Sequence, residues 1–301
     1  MDNQQKLSFR LMTYNIGRGR KDQGSELNAI VQIIEEVNPD ILVLQEATEY
    51  EDADTVRFSD VETIVARVGG HAYFGPTLSM RENMHVYKAL FLHALFNDWV
   101  DWKQGNAILS RWEYVRLGDP SKCSVPRNVP LYQPPVYEGN RDTEPRCALI
   151  ARVNRPPLYP FVVGVHLTTL IGERERGDRY RPIPGRYEEA QSLRLEQVTR
   201  LITLLKKHVL DRQETVFILG DFNAMAGEPC ITVLEERGFT RLKPDRESAV
   251  KTHVKASEPI DHLFVYTGGR ALDYRCWIVD SPIAQQASDH LPVIADIDIA
   301  I

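Results

Sequence analysis

A strand–helix–strand pattern occurs twice in this sequence, and that repetition constrains the fold more than any other feature. Each unit consists of an apolar strand, an amphipathic helix and a second strand whose apolar run is uninterrupted. The elements are predicted at residues 9–16, 26–37 and 40–44 in the first unit and at residues 161–167, 187–208 and 215–219 in the second. The pattern therefore predicts an α/β protein with two similar halves.

The C-terminal part adds two further predicted strands. They lie at residues 262–266 and 292–299, and the second alternates apolar and polar residues as a strand with one buried face does. With 301 residues, of which 43% are hydrophobic, the chain can bury a large core. Length alone allows one large domain or two small ones.

Composition limits the classes of function. No apolar stretch is long enough to span a bilayer and the start lacks a secretory pattern, so a cytoplasmic protein is expected. The net charge of −6 argues against a general nucleic-acid binder, although it allows a locally basic cleft. Cys123, Cys147, Cys230 and Cys276 are far apart in sequence, which predicts buried free thiols rather than a zinc site or disulfides.

Polar residues follow the predicted strands of both units. Asn15 and Glu46 follow the strands of the first unit, whereas His166, Asp221 and Asn223 end those of the second. Loops at the carboxyl ends of buried strands are where α/β proteins place ligands, because the core fixes the backbone while the tips stay accessible. The sequence therefore predicts that chemistry is concentrated at these strand ends.

The segment 218–224 (ILGDFNA) carries the strongest local signal. Asp221 and Asn223 are two residues apart, so both side chains can face one cleft, where a carboxylate activates water and an amide binds water or a phosphate oxygen. An ordinary Asx turn is an equally good interpretation of this segment alone. Glu46 can bind a hard cation such as Mg²⁺, or it can be a solvated residue after a strand.

Two adjacent acid–histidine pairs precede the C-terminal strands. They are Asp261–His262 and Asp289–His290. A carboxylate bonded to one imidazole nitrogen fixes the tautomer and favours the charged form, which suits an imidazole that faces a phosphoryl oxyanion. Surface histidines in turns are the alternative. His166 alone would more often be a histidine at the rim of a core.

The combination is more informative than any single residue. Eight polar residues stand at or near predicted strand ends and none is a cysteine: Asn15, Glu46, His166, Asp221, Asn223, Asp261, Asp289 and His290. Oxygen and imidazole groups of this kind suit Mg²⁺ or Mn²⁺ and the hydrolysis of a phosphate ester.

Seven short motifs occur in an order that resembles the endonuclease/exonuclease/phosphatase superfamily, which includes DNase I-like nucleases. They are TYNIGRG, LQEA, GNAILSR, GVHLT, GDFNA, PIDHLFV and ASDHLPV, and they span nearly the whole chain. The resemblance implies a four-layer α/β/β/α sandwich in which two packed mixed sheets are flanked by helices. A single domain over residues 1–301 is expected, with insertions near 71–104 and 172–186.

The resemblance also implies roles for individual residues. Glu46 would be the principal Mg²⁺ ligand with Asn15 and Asp289 nearby. Asp221 would activate the attacking water with help from Asn223, and His166 and His290 would contact the scissile phosphate. Asp261 would pair with His290. Asn106 would line the phosphate side of the cleft, and Arg146 would be a further substrate contact.

The substrate stays open at this stage. A phosphodiesterase, with nucleic acid among its candidate substrates, is the first expectation. A phosphomonoesterase or phospholipase-type hydrolase acting on a sugar, inositol or lipid head group is the alternative, and a non-catalytic binding module is a third. Inositol polyphosphate 5-phosphatases typically have WCDR where this chain has PIDH, which argues against that subfamily. Tyrosyl-DNA phosphodiesterases usually have Thr at the position of Phe222, which argues against that subfamily too.

Two segments do not fit the repeated pattern and are predicted to overhang the site. The segment 71–104 contains an apolar run followed by Trp99 and Trp102, which are expected to pack rather than to bind a base. The segment 172–186 carries five arginines among acidic residues, and is interpreted as a lid that grips phosphates, with a solvated loop as the alternative.

Overall fold

The computed structural model describes residues 5–17, 24–52, 57–79, 99–135, 137, 143–169, 185–245 and 247–301, without the side chains of residues 24–26, 51–52 and 99–101. The strands are β1 (Lys6–Asn15), β2 (Ile41–Asp52), β3 (Arg57–Ser59), β4 (His71–Ser79), β5 (Trp99–Ser110), β6 (Val115–Arg116), β7 (Asp119–Cys123), β8 (Arg127–Tyr132), β9 (Arg146–Arg152), β10 (Phe161–His166), β11 (Val216–Asp221), β12 (Thr240–Arg241), β13 (Asp261–Tyr266), β14 (Leu272–Ile278) and β15 (Val293–Ala300). The α-helices are α1 (Gly24–Val37), α2 (Asp60–Val68), α3 (Arg186–Lys206), α4 (Pro229–Glu236) and α5 (Pro282–Ala287).

Two large mixed sheets form the centre of the described structure. The first has the strand order β14–β15–β1–β2–β5–β4, with β3 paired to β2, and the second has the order β12–β13–β11–β10–β9–β8. The pairs β1–β2 and β10–β11 are parallel, and their neighbours in each sheet are antiparallel. Because α1 connects β1 to β2 and α3 connects β10 to β11, the two predicted strand–helix–strand units are confirmed.

The alternation of side chains along the strands explains the layers. In β10 and β11, Val162 and Phe217 pack toward the first sheet, whereas Val163 and Ile218 pack toward α3 and α4. Phe9 of β1 contacts Phe217 edge to face across the sheets, with ring centroids 5.3 Å apart. Helix α1 packs on α2 and α5 outside the first sheet, and α3 packs on α4 outside the second. The predicted α/β/β/α sandwich is confirmed.

Gly164 marks a close approach of the two sheets. A Cβ atom at this position would lie 2.7 Å from Cγ1 of Val43, closer than real Cβ contacts. The absence of a side chain in β10 therefore makes room for a side chain of β2, and it lets the ends of the two parallel strand pairs face each other.

Helix α3 has an apolar face interrupted by two buried polar residues. Its buried residues are Ala190, Arg194, Gln197, Val198, Leu201, Ile202 and Leu205. The helix starts after the carboxyl end of β10 and runs back along the sheet, so its first turns lie nearest the strand ends where polar residues were predicted. Arg194 is the largest fully buried side chain in the described residues.

Three sequence-based interpretations need correction. Strand β2 does not end at Leu44 but continues to Asp52 through a register shift between Leu44 and Ala47. Both ends of the predicted insertion at 71–104 belong to the first sheet, as β4 and the beginning of β5, and residues 80–98 lie outside the described residues, as do residues 172–184 of the second insertion. Cys123 is exposed, whereas the other three cysteines are buried as predicted.

Candidate active site

Three site residues of the second sheet lie in one row across neighbouring strands. His166 at the end of β10 pairs in register with Asp221 at the end of β11, and Asp221 pairs with Asp261 at the start of β13. Asp221 follows Leu219 by two residues and Asp261 precedes Leu263 by two. Since both leucines pack toward the first sheet, the side-chain alternation turns the two carboxylates the same way.

Asn15 connects this row to the first sheet. Its Nδ2 donates to Oδ2 of Asp221 at 3.0 Å and lies 3.4 Å from Oε1 of Glu46, so one amide bridges carboxylates from two sheets. Its Oδ1 accepts a hydrogen bond from the backbone N–H of Gly17 at 3.1 Å, which fixes the orientation of the amide. Asn15, Glu46 and Asp221 are all buried.

Glu46 lies within a strand rather than after one. The register shift in β2 places two residues, Gln45 and Glu46, opposite Asn106 of β5, and Glu46 has a left-handed φ of 55°. A bulge of this kind turns a side chain away from the regular alternation of the strand. This local irregularity allows Glu46 to reach Asn15 while the flanking residues Leu44 and Ala47 stay in the core.

Asp221 is surrounded by donors of hydrogen bonds and by imidazoles. Its Oδ1 accepts from the backbone N–H of Asn223 at 2.8 Å, and its Oδ2 lies 3.5 Å from Nε2 of His166 and 3.6 Å from Nε2 of His290. Burial and the negative charge of Asp261 raise the pKa of Asp221, while His290 opposes that rise. The carboxylate is therefore more basic than an exposed one.

His290 is held by a carboxylate from a neighbouring strand. Its Nδ1 lies 2.9 Å from Oδ2 of Asp261. Burial alone would lower the pKa of His290, but the negative charges of Asp261 and Asp221 outweigh burial and raise the pKa to about 10. His290 is therefore an imidazolium at neutral pH, with Nδ1–H donating to Asp261 and Nε2–H directed at Asp221.

A serine ties the segment of His290 to the end of β1. The hydroxyl of Ser288 donates to the carbonyl oxygen of Asn15 at 2.8 Å and accepts from the N–H of His290 at 3.1 Å. Because Asn15 also contacts Asp221, the C-terminal segment and both sheets meet at one place.

The two acid–histidine pairs predicted from adjacent residues do not form as such. His290 pairs with Asp261 rather than with its neighbour Asp289. His262 is buried on the opposite face of β13, where its Nε2 donates to the carbonyl oxygen of Ala224 at 2.8 Å, and burial lowers its pKa to about 4. Adjacent residues in β13 face opposite ways, so Asp261 faces the site whereas His262 faces away from it.

Asn223 braces the turn after β11. Its φ of 50° lies in the left-handed region, which asparagine tolerates better than most residues. Its Nδ2 donates to the carbonyl oxygen of Leu167 at 3.0 Å, and its backbone N–H bonds Asp221. Asn223 therefore links the chain just after His166 to the carboxylate of Asp221.

Asn106 of β5 contacts the start of β9, which lies on the other side of β10 from β11. Nδ2 of Asn106 donates to the carbonyl oxygen of Cys147 at 3.2 Å, next to Arg146 at the start of β9. The Arg146 side chain is only 3% exposed and binds Glu144 at 3.0 Å. Its Nε has no hydrogen-bond partner among the described residues. Arg146 therefore keeps an unused buried donor.

Asp289 lies beside a residue that sequence reasoning missed. Oδ2 of Asp289 is 3.6 Å from Nε2 of His253, and the His253 ring packs on the His290 ring with centroids 4.6 Å apart. Nδ1 of His253 accepts from the N–H of Lys255, so Nε2 carries the proton that faces Asp289. His253 precedes β13 in a loop, and no local pattern shows that it pairs with residue 290.

The arrangement could hold a divalent cation. Glu46 and Asp221 both contact Asn15, and ligand atoms of Asp221, Asp261 and His290 lie within 4.8 Å of one another, as do those of His253, Asp289 and His290. Oδ1 of Asp261 is buried and has no hydrogen-bond partner among the described residues. Because Nδ1 of His290 is bonded to Asp261, carboxylate oxygens make up most of the ligand atoms in this region, and oxygen is what hard cations prefer.

The profile of the Endonuclease/Exonuclease/phosphatase family matches residues 12–290. A search of curated proteins found no match. Among solved structures, an endonuclease/exonuclease/phosphatase from Beutenbergia cavernae is similar, with a TM-score of 0.63 and 18% identity over 97% of this chain and 72% of that one.

Two further structures have similar folds over nearly their full lengths. The human Nocturnin catalytic domain with bound sulfate has a TM-score of 0.62 and 16% identity, over 99% of this chain and 97% of that one. Truncated TDP2 from Caenorhabditis elegans has a TM-score of 0.57 and 16% identity, over 97% and 98%. At these identities the structural similarity establishes the fold alone.

Proposed function

The chain belongs to the endonuclease/exonuclease/phosphatase family, and on that premise we propose that it is a divalent-metal-dependent phosphodiesterase. Members of this family are generally phosphoester hydrolases. The observation that carries the proposal is the contact of Asn15 with both Glu46 and Asp221, beside the Asp261–His290 pair. A buried acidic site next to an imidazolium suits the hydrolysis of a substrate that carries negative charge.

Asp221 is the group that would take the proton of the attacking water. Its Oδ1 is fixed by the N–H of Asn223, which leaves Oδ2 at the centre of the site. The raised pKa of Asp221 makes it a stronger base than an exposed aspartate, and Asn15 holds Oδ2 by a hydrogen bond. General bases of this kind typically contribute about 10²- to 10⁴-fold to a rate.

His290 and His166 would act on the phosphate. Their Nε2 atoms lie 3.6 Å and 3.5 Å from Oδ2 of Asp221, so both rings border the same point. The charged His290 would stabilise negative charge on the phosphate oxygens as it develops, and Asp261 would keep the ring oriented and protonated. Water attacks phosphorus in line with the leaving oxygen, whose bond to phosphorus breaks.

Glu46 and Asp289 would hold Mg²⁺ or Mn²⁺, with Asn15 orienting the carboxylate of Glu46. The donors are oxygen atoms. The buried carboxylates carry more negative charge than the imidazolium of His290 balances, which favours a cation in this region. When bound, the cation supplies Lewis-acid stabilisation of the charge on the phosphate oxygens.

Asn106 and Arg146 would contact the substrate. Arg146 has a buried Nε without a partner among the described residues, and it starts β9, whose Ala148 pairs with Val165, the residue before His166. A guanidinium there would bind a phosphate oxygen by a charge-assisted hydrogen bond.

A substrate panel tests this proposal. The purified protein is incubated with Mg²⁺ or EDTA and with bis-p-nitrophenyl phosphate, p-nitrophenyl phosphate or a labelled DNA oligonucleotide. We expect metal-dependent hydrolysis of the diester, with slower release from the monoester. Faster hydrolysis of the monoester would instead select the phosphomonoesterase alternative, and inactivity toward all three together with no binding of Mg²⁺ would favour the binding module.

A further inference from the structure

Four buried polar residues lie next to the candidate site, on the side of the second sheet that packs against α3 and α4. They are Thr168, Arg194, Gln197 and Glu228, and we refer to them as the Arg194 network. Their relative exposures are 0%, 0%, 1% and 2%. Thr168 follows β10, Arg194 and Gln197 belong to α3, and Glu228 precedes α4. The network therefore joins two helices to the end of a central strand.

Arg194 binds two segments at once. Its Nε and Nη2 donate to Oε2 of Glu228 at 3.1 Å and 2.7 Å, and its Nη1 donates to the carbonyl oxygen of Thr168 at 3.2 Å. The other carboxylate oxygen of Glu228 accepts from the backbone N–H of Met225 at 3.0 Å. One guanidinium thus connects the chain after β10 with the chain after β11.

Gln197 holds Thr168 from the other side. Its Oε1 accepts from the backbone N–H of Thr168 at 3.2 Å, and its Nε2 donates to the Thr168 hydroxyl at 2.5 Å. Together with Arg194, it satisfies the N–H, the hydroxyl and the carbonyl oxygen of this one residue. Thr168 is therefore fixed in position by α3.

The two segments held by the network carry three of the candidate catalytic residues. Thr168 is two residues after His166, and Met225 is two residues after Asn223. Leu167, between His166 and Thr168, donates its N–H to the carbonyl oxygen of Asp221 and accepts from Asn223 Nδ2. A shift of Thr168 would therefore move both His166 and the Asn223–Asp221 contact.

Stability alone does not account for this arrangement. Removing an arginine and a glutamate from water is costly, and apolar residues of similar volume commonly replace a buried ion pair without loss of stability. The helix α3 already packs through Val198, Leu201 and Leu205. The ion pair instead supplies directional bonds, which fix the relative placement of two loops as apolar contacts do not.

From these contacts we infer that Arg194, Gln197 and Glu228 are positioning residues, which act through Thr168 and Met225 on His166, Asp221 and Asn223. The inference rests on the proposed phosphoesterase function. A displacement of about 1 Å in a catalytic group can reduce a rate by about 100-fold. Loss of the network should therefore reduce kcat about 10- to 100-fold, with a much smaller change in KM.

The test replaces the ion pair as a unit. The Arg194→Met/Glu228→Leu variant removes both charges together and leaves neither one buried alone. Arg200→Met on the exposed face of the same helix is the matched control. We expect the double variant to melt cooperatively and to lose kcat, and the control to retain wild-type kcat. A cooperatively folded double variant with kcat within about twofold of the control would overturn the inference.

A second pair covers the case in which the double variant does not fold. Thr168→Val removes the hydroxyl that Gln197 binds, whereas Thr168→Ser keeps it. We expect Thr168→Val to lose kcat and Thr168→Ser to restore most of it. Equal kcat in the two folded variants would contradict the positioning role.

An NMR measurement that does not depend on catalysis distinguishes a failure of this inference from a failure of the proposed function. The side-chain amide of Asn223, which donates to Leu167, gives an NMR signal that reports on the junction of the two loops. We expect this signal to shift in the Arg194→Met/Glu228→Leu and Thr168→Val variants and to stay in place in Arg200→Met. If the wild type is inactive but the Asn223 signal still shifts in the network variants, the proposed function is refuted and the coupling is not. If the Asn223 signal does not shift in these variants, the coupling is refuted.

Discussion

Several residues in or beside the candidate site have pKa values far from their usual ones, because they are buried next to one another. Asp221 and Asp261 are buried carboxylates on neighbouring strands, and His290 carries the positive charge that lies between them. His262, one residue from Asp261, is buried without a carboxylate partner in the described structure and loses its proton easily. His262 and His290 are therefore similarly buried but have very different pKa values.

The first residue-scale prediction concerns the charge of His290 in the metal-free protein. Because Asp261 is the strongest charge that raises the pKa of His290 from its usual value to about 10, Asp261→Asn should lower that pKa by at least about one unit. An NMR titration of the His290 ring measures this directly. Asp296→Asn, at an exposed ion pair with Arg10, is the control and should leave the titration unchanged.

The raised pKa of His290 makes the stability of the fold depend on pH. A histidine whose pKa is raised by folding stabilises the native state fully below its unfolded pKa of about 6.5 and loses this contribution as pH rises through about 10. As the pH rises from about 6.5 to about 10, the free energy of unfolding should therefore fall less steeply in Asp261→Asn than in the wild type. An unchanged His290 titration in that variant would contradict the assigned pairing.

His262 supplies the second residue-scale prediction, with the opposite sign. Burial lowers its pKa to about 4, so the unfolded chain binds a proton between pH 6.5 and 4 that the folded chain does not. Acidification across this range should cost about 3 kcal/mol of stability from this residue, since one pKa unit is worth about 1.4 kcal/mol. His262→Gln keeps a donor toward Ala224 and removes the titrating group.

Urea unfolding at several pH values measures the difference. The wild type should lose more stability than His262→Gln between pH 6.5 and 4, while His208→Gln, at an exposed position after α3, should follow the wild type. Parallel pH profiles for the wild type and His262→Gln would show that burial does not control this histidine.

The sequence predicted where the candidate site residues lie, and the resemblance predicted that Asp261 pairs with His290, a contact that the structure contains. Asp221, Asn223 and His166 could be found because buried strands end in them, which places polar groups at an accessible edge. The pairing of His290 with Asp261 rather than Asp289 depends on which face of each strand enters the cleft. The place of His253 depends on a loop contact with residue 290, which no local pattern encodes.

At the scale of elements, the bulge in β2 and the close approach at Gly164 bring the two sheets together. Periodicity predicted the strands and helices of both units, because their apolar faces are long and regular. It could not predict that β2 continues past Glu46, since a bulge interrupts the alternation on which the prediction rests. The pairing of β4 with β5 was also missed, because it depends on contacts between distant residues.

Gly164→Ala tests the packing of the sheets. The added Cβ would lie 2.7 Å from Cγ1 of Val43 in the core, so the Val43 side chain or one of the two strands has to shift. We expect the substitution to destabilise the fold by about 1–3 kcal/mol, as overpacking of a core does. Gly118→Ala is the control, because a Cβ at Gly118 would meet no atom within 4 Å. Equal urea midpoints for the two variants would show that the sheets do not meet as described.

At the scale of the whole molecule, the site exists only when both halves of the chain fold together. Asn15 and Glu46 come from the first sheet, and Asp221 comes from the second. The seven motifs indicated the sandwich correctly, and the family match over residues 12–290 agrees with it. Substrate choice could not be predicted, because the oxygen and imidazole groups at the strand ends suit phosphate esters in general. In the described residues, no helix is both long and apolar enough to cross a membrane.

The most direct test of the account compares the wild type with Asp221→Asn in the Mg²⁺-dependent hydrolysis of bis-p-nitrophenyl phosphate. The amide keeps the size of the side chain and removes the base, so kcat should fall at least about 100-fold with little change in KM, while EDTA should abolish wild-type turnover. Asp211→Asn, at an exposed ion pair with Lys206, should behave as the wild type. Turnover by Asp221→Asn within about threefold of the wild type, or wild-type turnover that persists in EDTA, would contradict the assignment of Asp221 and of a metal-dependent site.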